Sequence, residues 1–154
     1  MSIRIICLGK TRESWIKQGI AEYQKRLNPG WKVEWQELRD VSLKETDSIE
    51  KVKGREAEVI RKAIPDTDYV IALDERGKSY DSISFAHLIR GVMQDKSIAF
   101  IIGGVYGLDK AIIDRADMHL SFSAFTFPHQ LIRLILIEQL YRCQTIVSGK
   151  TYHY

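Results

Sequence analysis

Three neighbouring segments read YVIALDERGK (residues 69–78), SIAFIIGGVYG (97–107) and MHLSFSAFTF (118–127). Each begins with a run of apolar residues, which indicates a strand buried on both faces of a sheet, although the third run is weaker. Each run ends in a loop of unusual composition. Because ligands of open α/β sheets bind outside the carboxyl ends of the strands, we expect the three loops to build one pocket.

The rest of the chain alternates strands and helices. Alternating apolar residues predict a strand that ends near Gly9 and another over residues 31–35. Apolar residues at spacings of three and four predict helices starting near Ser14, Ile49 and Ser84, and a long helix from Pro128 to about Thr145, while Asp109 can cap a short helix. This order predicts one α/β domain over residues 1–154, a mainly parallel sheet with helices on both faces.

The composition is that of a globular protein. Hydrophobic residues make up 45% of the 154 residues, and the net charge is +3. Residues 1–64 hold 14 Lys and Arg against 10 Asp and Glu, which is too mild an excess to indicate nucleic-acid binding by itself. With no recognisable signal peptide or membrane span, we expect a cytoplasmic protein whose Cys7 and Cys143 are core thiols rather than a disulfide.

The loop after the second run, Gly103-Gly104-x-x-Gly107, has two explanations. It lacks the glycine spacing of a dinucleotide fingerprint and the Lys-Ser/Thr of a phosphate loop. Its glycines serve either a turn with positive φ and close strand–helix packing, or the approach of a nucleotide to the backbone. Its position between two other unusual loops favours the nucleotide.

The loop after the third run, residues 121–127, carries three aromatic rings, three hydroxyls and no charge. A solvated loop rarely has this composition. Either it packs into the core, or it lines an apolar pocket whose backbone groups meet a flat, neutral ligand such as an adenine ring.

The last helix is apolar on almost every side and must be buried on most of them. Because so small a domain cannot surround it, we expect a homodimer with this helix at the interface. Glu138 and Arg142, four residues apart, can pair on one face, as a core salt bridge or as functional groups.

Few other groups indicate chemistry. No His, Cys and carboxylate cluster has the spacing of a metal site, so no metal is expected. His129 follows Pro128 at a helix start, where the dipole disfavours its charged form. The tail Thr151-Tyr152-His153-Tyr154 is either an accident of composition or a segment that folds over a site and stacks on bases.

Several motifs, spread over the whole chain, resemble the RlmH (YbeA) family of SPOUT methyltransferases. They are GK (9–10), IAEY (20–23), LDxxGK (73–78), IGGxxG (102–107), SFSxxTFPHQ (121–130), EQLYR (138–142) and YH (152–153). The chain departs from the family pattern at its end, where Tyr154 replaces a basic residue and Thr151 a proline, and where Cys143 replaces an alanine.

The resemblance implies a homodimer with a C-terminal trefoil knot that holds S-adenosylmethionine. It implies methylation of 23S ribosomal RNA in assembled ribosomes, at N3 of pseudouridine 1915 in helix 69. Two rivals are a small-molecule enzyme that uses another nucleotide and a ribosome-binding factor without chemistry.

The resemblance also implies site residues. Those expected to bind the cofactor are Leu73, Gly103, Gly104, Gly107, Phe122, Ser123, Ala124, Phe125, Thr126 and Phe127. Among the catalytic candidates, Tyr152 would stack on the target base, His153 or His129 would accept its imide proton, and Arg142 would meet a phosphate or base. We expect the tail of one subunit to lie over the pocket of the other.

Overall fold

The computed structural model describes residues 2–27 and 29–150. In chain order its elements are β1 (Ser2–Leu8), α1 (Ser14–Arg26), β2 (Lys32–Leu38), α2 (Ile49–Ala63), β3 (Tyr69–Ser79), α3 (Ser82–Asp95), β4 (Ile98–Ile102), α4 (Lys110–Arg115), β5 (Met118–Ser121) and α5 (His129–Val147). All ten elements were predicted, with ends that differ by a few residues in most cases.

The five strands form one parallel sheet in the order β2-β1-β4-β3-β5. The central strand β4 is buried along its whole length, as a strand covered on both faces must be. Helices α1, α3 and α5 cover one face, and α2 and α4 cover the other. The predicted fold class is therefore confirmed. None of the described helices is long and apolar enough to cross a membrane.

The two cysteines lie in the core facing α1, α3 and α5 and are both free thiols, as predicted. Burial raises the pKa of Cys7 to about 11 and that of Cys143 to about 12. Neither sulfur is a thiolate near neutral pH, and neither is therefore an activated nucleophile.

Strand β3 differs from the prediction. Residues 74–78 were expected to form a loop, but β3 continues to Ser79. Leu120 of β5 pairs with both Leu73 and Lys78, so the intervening residues bulge while the strand resumes its pairing. A Cβ on Gly77 would lie 2.7 Å from the backbone of His119, which explains a glycine at this close approach.

Helix boundaries also shift. Pro128 is the N-cap of α5 rather than its first helical residue, and the helix runs two residues beyond Thr145. Helix α3 begins at Ser82 rather than near Ser84, because the Asp81 side chain accepts a hydrogen bond from the Ser84 amide and caps the helix there.

Helix α5 is largely apolar but contains one charged residue, Arg133, that is fully buried. The Arg133 guanidinium donates hydrogen bonds to the carbonyls of Leu8 (2.5 Å) and Gly9 (3.0 Å) and to Thr11 Oγ1 (3.0 Å). Its Nη1 lies 3.5 Å from a carboxylate oxygen of Glu37. These contacts fasten the first half of α5 to the carboxyl end of β1.

We predict that Arg133→Met lowers the free energy of unfolding by about 2–6 kcal/mol, because it leaves the two buried carbonyls of Leu8 and Gly9 without this donor, at a cost of about 1–3 kcal/mol each. Urea titration of both proteins at equal concentration measures the change. Arg26→Met is the control, because Arg26 pairs with Glu22 and lies over the Tyr23 ring at the surface, and the loss of such exposed contacts should leave the unfolding midpoint nearly unchanged. Equal midpoints for all three proteins would contradict the assigned role.

Candidate functional site

The carboxyl ends of β3, β4 and β5 enclose a cleft of about 290 Å³, which we call the three-loop cleft. Nine of the ten residues expected to bind the cofactor line it: Leu73, Gly103, Gly104, Gly107, Phe122, Ser123, Phe125, Thr126 and Phe127. Ala124 is exposed and does not line it. The predicted convergence of the three loops is therefore confirmed.

The glycines of the second loop are needed by the loop itself. Gly107 has φ of +77°, and its amide donates to the carbonyl of Gly104 at 3.1 Å. A Cβ on Gly103 would lie 2.9 Å from the carbonyl carbon of Gly107 and 3.1 Å from the Leu108 side chain. Of the two explanations given by the sequence, turn geometry and close packing therefore account for these residues without a ligand.

The third loop is partly packed and partly exposed. Phe122 packs against the core, whereas Phe125 is 78% and Phe127 38% exposed at the cleft. The buried Ser121 hydroxyl lies 3.0 Å from the carbonyls of Glu75 and Ser123, which ties the loop to β3. The loop thus holds its exposed aromatic rings on a fixed base.

The mouth of the cleft carries negative charge. Asp74 and Glu75 line it, and Arg76 binds the Asp74 carboxylate at 3.2 Å. Burial acts to raise the pKa of Asp74, but the hydrogen bonds from Arg76 outweigh it and hold the pKa below its ordinary value. Asp74 is therefore ionised at neutral pH.

His129 stands at the junction of the three-loop cleft and a second cavity. Burial, followed by the positive charge of Arg133, lowers its pKa, so the imidazole is neutral at neutral pH and can accept a proton. The second cavity contains the half-buried Glu56, whose pKa is raised by burial and by Asp40. Among the described residues, no group of three His, Cys, Asp or Glu could hold a metal ion.

The cleft fits S-adenosylmethionine chemically. Its lining combines apolar side chains, among them Leu73, Ile102 and Leu120, with the backbone of the glycine loop and with hydroxyl groups, and so suits a ligand that has both a flat ring and polar groups. The carboxylates at its mouth suit the positive charge of a sulfonium and an amino group.

The remaining predicted residues lie elsewhere. Arg142 pairs with Glu138 at 2.6 Å, as the sequence suggested, but lies on α5 about 20 Å beyond His129 and does not line the cleft of its own chain. Tyr152 and His153 lie outside the described residues. Cleft residues that we did not predict include Asp74, Glu75, Tyr106 and Ile132, although the first three sit inside the loops that the sequence singled out.

Comparison with known proteins gives concordant results. The family model described as "Predicted SPOUT methyltransferase" matches residues 1–153. The chain is 44% identical to proteins named "Ribosomal RNA large subunit methyltransferase H" from Carboxydothermus hydrogenoformans and Streptococcus pyogenes serotype M5, with 99% of this chain and 99% of each relative covered.

Two solved structures share the fold at low sequence identity. A probable methylase family protein from Haemophilus influenzae Rd KW20 has a TM-score of 0.60 at 15% identity, covering 99% of this chain and 70% of that one. A probable methyltransferase from Bordetella pertussis Tohama I has a TM-score of 0.59 at 12% identity, covering 92% and 93%. The match over residues 1–153 and the 44% identity confirm the resemblance carried by the motifs, and the chain belongs to the SPOUT methyltransferase family.

Proposed function

We propose that this protein methylates large-subunit ribosomal RNA with S-adenosylmethionine bound in the three-loop cleft. The observation that carries the proposal is the 44% identity, over 99% of both chains, to relatives named as methyltransferases of that RNA. The cleft, which is lined by apolar side chains, loop backbone and two carboxylates, supports the same conclusion from chemistry alone.

The finer target follows from the family resemblance. The proposed acceptor is N3 of pseudouridine 1915 in helix 69, within assembled ribosomes of the cytoplasm, and the proposed enzyme is a homodimer with a C-terminal trefoil knot. A net charge of only +3 supports the ribosome as substrate, because contacts to phosphates supply most of the affinity for free RNA.

The bound cofactor would supply an electrophilic methyl group. The loops of the cleft would orient the cofactor and exclude water, so that the acceptor nitrogen approaches in line. That nitrogen carries a proton and must lose it. The neutral His129 imidazole, which lines the cleft, is one candidate acceptor for this proton, and His153 of the tail is the other.

The outer surface of α5 supports a dimer. Leu131 and Ile135 are half-buried, lie on one side of the helix, and belong to neither of the two described core clusters. Glu138 and Arg142 continue the same row. Helices α1 and α3 cover the flanks of α5, so this row is the side left for a partner subunit. Arg142 would then reach the partner's cleft rather than its own.

The first prediction for the proposed function tests the activity itself. Purified protein and labelled S-adenosylmethionine should transfer methyl groups to ribosomes that lack the modification, and mapping should place the methyl group on N3 of pseudouridine 1915. Protein-free RNA should be a poor substrate, because ribosomal shape supplies contacts that the weakly charged protein lacks. Methylation at another nucleotide would contradict the finer target, and no transfer to either substrate would contradict the proposed function.

A second prediction concerns the cofactor. The double substitution of Phe125→Ala and Phe127→Ala removes exposed rings from the cleft without opening the core, and should raise the dissociation constant of S-adenosylmethionine about tenfold, or about 1.4 kcal/mol. Isothermal titration calorimetry measures this dissociation constant. Gly103→Val is unsuitable because its side chain would collide with the loop.

Ile49→Ala is the matched control for the cofactor experiment. Ile49 is 52% exposed and begins α2, which covers the opposite face of the sheet. Wild-type affinity in the folded double variant would show that the cofactor binds elsewhere.

A third prediction concerns the shared site. A protein that ends at residue 150 should bind S-adenosylmethionine normally and fail to methylate ribosomes. At a cofactor concentration too low to load the Phe125/Phe127 variant, neither variant should be active alone. Mixing the two under conditions that exchange subunits should restore activity, because mixed dimers unite an intact cleft with an intact tail. Random mixing gives about a quarter of the wild-type number of sites.

Ile135→Lys provides the control for subunit exchange. It should yield folded monomers in sedimentation, because a charge on the outer row of α5 cannot be buried in a dimer. When Ile135→Lys is added to both members of the mixture, activity should not return. Activity of the truncated protein by itself would refute the role of the tail.

A further inference from the structure

The connection from β1 to α1, residues 9–13, is held far more firmly than an exposed loop requires. The Gly9 amide donates to the carbonyl of Leu38 at 2.7 Å, and the Gly9 carbonyl accepts from Arg133. Both the amide and the hydroxyl of Thr11 donate to one carboxylate oxygen of Glu37 at 2.8 Å. The backbone of Lys10 is therefore fixed on both sides.

The second half of this loop is fixed to the helix that carries His129. The amides of Arg12 and Glu13 donate to the side-chain oxygen of Gln130, at 2.8 Å and 3.4 Å. Gln130 follows His129 at the start of α5. The loop and the mouth of the three-loop cleft are consequently parts of one rigid unit.

The side chains of this rigid unit are nevertheless exposed and positively charged. Lys10, Lys17 and Arg39 are exposed around one groove and have no ion pair within the described part of the chain. The acids of the groove are already engaged, since Glu37 binds Thr11 and Arg133, and Asp40 binds Arg12 at 3.3 Å. Three positive side chains of the groove therefore have no ion-pair partner among the described residues.

The basic groove is continuous with the cleft. Lys10 and Arg12 also line the second cavity, which shares Gly104, Tyr106 and His129 with the three-loop cleft. A polyanion lying along the groove would thus lead to the site where the methyl group is transferred.

We propose that Lys10, Lys17 and Arg39 form a binding surface for the phosphate backbone of RNA, held rigid so that the strand enters the cleft at a fixed angle. Lysine and arginine on a fixed support bind phosphates without reading sequence, and they set the position of a strand. The inference rests on the proposed function and specifies how its RNA substrate is held.

The test is a triple substitution, Lys10→Gln, Lys17→Gln and Arg39→Gln. Filter binding to purified 70S ribosomes over a range of salt concentrations gives the slope of log affinity against log salt. Three lost phosphate contacts should make this slope shallower by about 2–3, so that the affinity lost between about 50 and 200 mM salt is about 20- to 40-fold smaller than in the wild type. The Michaelis constant for ribosomes should rise, and the affinity for S-adenosylmethionine should not change.

The matched control replaces three other exposed lysines, with Lys25→Gln, Lys62→Gln and Lys96→Gln. They lie at or next to the ends of α1, α2 and α3, toward the opposite edge of the sheet, and change the net charge equally. A steep, wild-type slope in the control and a shallow slope in the triple variant support the surface. Equal slopes in the two variants overturn it.

The proposed function and the proposed RNA-binding surface can be refuted independently of each other. If wild-type protein binds ribosomes but never transfers a methyl group, the proposed function is wrong, and the comparison of slopes still decides whether the groove binds RNA.

Discussion

The buried guanidinium of Arg133 is the contact on which the arrangement of the site depends. It satisfies the carbonyls left open at the end of β1 and, in doing so, fixes the first turns of α5 over the edge of the sheet. Those turns place His129 and Ile132 in the cleft and Gln130 against the β1–α1 connection, residues 9–13. One charged side chain thus aligns the helix, the loop and the cleft.

In the loop from Gly103 to Gly107, the residues that the fold requires can be separated from the groups that remain available to a ligand. Gly103 and Gly107 are required by the path of the backbone, and their presence would be needed even in a protein without a ligand. What distinguishes the site is the set of groups that packing does not use, namely the exposed rings of Phe125 and Phe127 and the exposed carboxylate of Glu75. Groups that folding leaves unsatisfied are the better guide to chemistry.

The sequence alone predicts the helices, the strands and the convergence of the three loops. This is possible because a helix or strand with a buried face repeats its apolar residues at a spacing that is visible within a short stretch of sequence. The sequence does not predict features that depend on contacts with residues far along the chain. The extension of β3 depends on pairing with Leu120. Arg133 is satisfied within an apolar run by hydrogen bonds to Leu8, Gly9 and Thr11, which lie more than 120 residues away. Periodicity likewise cannot separate Leu131 and Ile135 from the buried residues of α5, since only the placement of α1 and α3 leaves that row uncovered.

A chain of 154 residues with a net charge of +3 has little surface to spare for a separate RNA-binding part. The same elements must therefore serve several roles. Helix α5 carries the cleft at its first turn, is anchored through Arg133, and presents Leu131 and Ile135 outward. Half-buried apolar side chains on the outer side of a packed helix lose further contact with water when a second surface covers them. A second subunit would cover this row, and the proposed homodimer would bring a second set of cationic side chains to the same RNA substrate, so that two weakly charged chains bind it together.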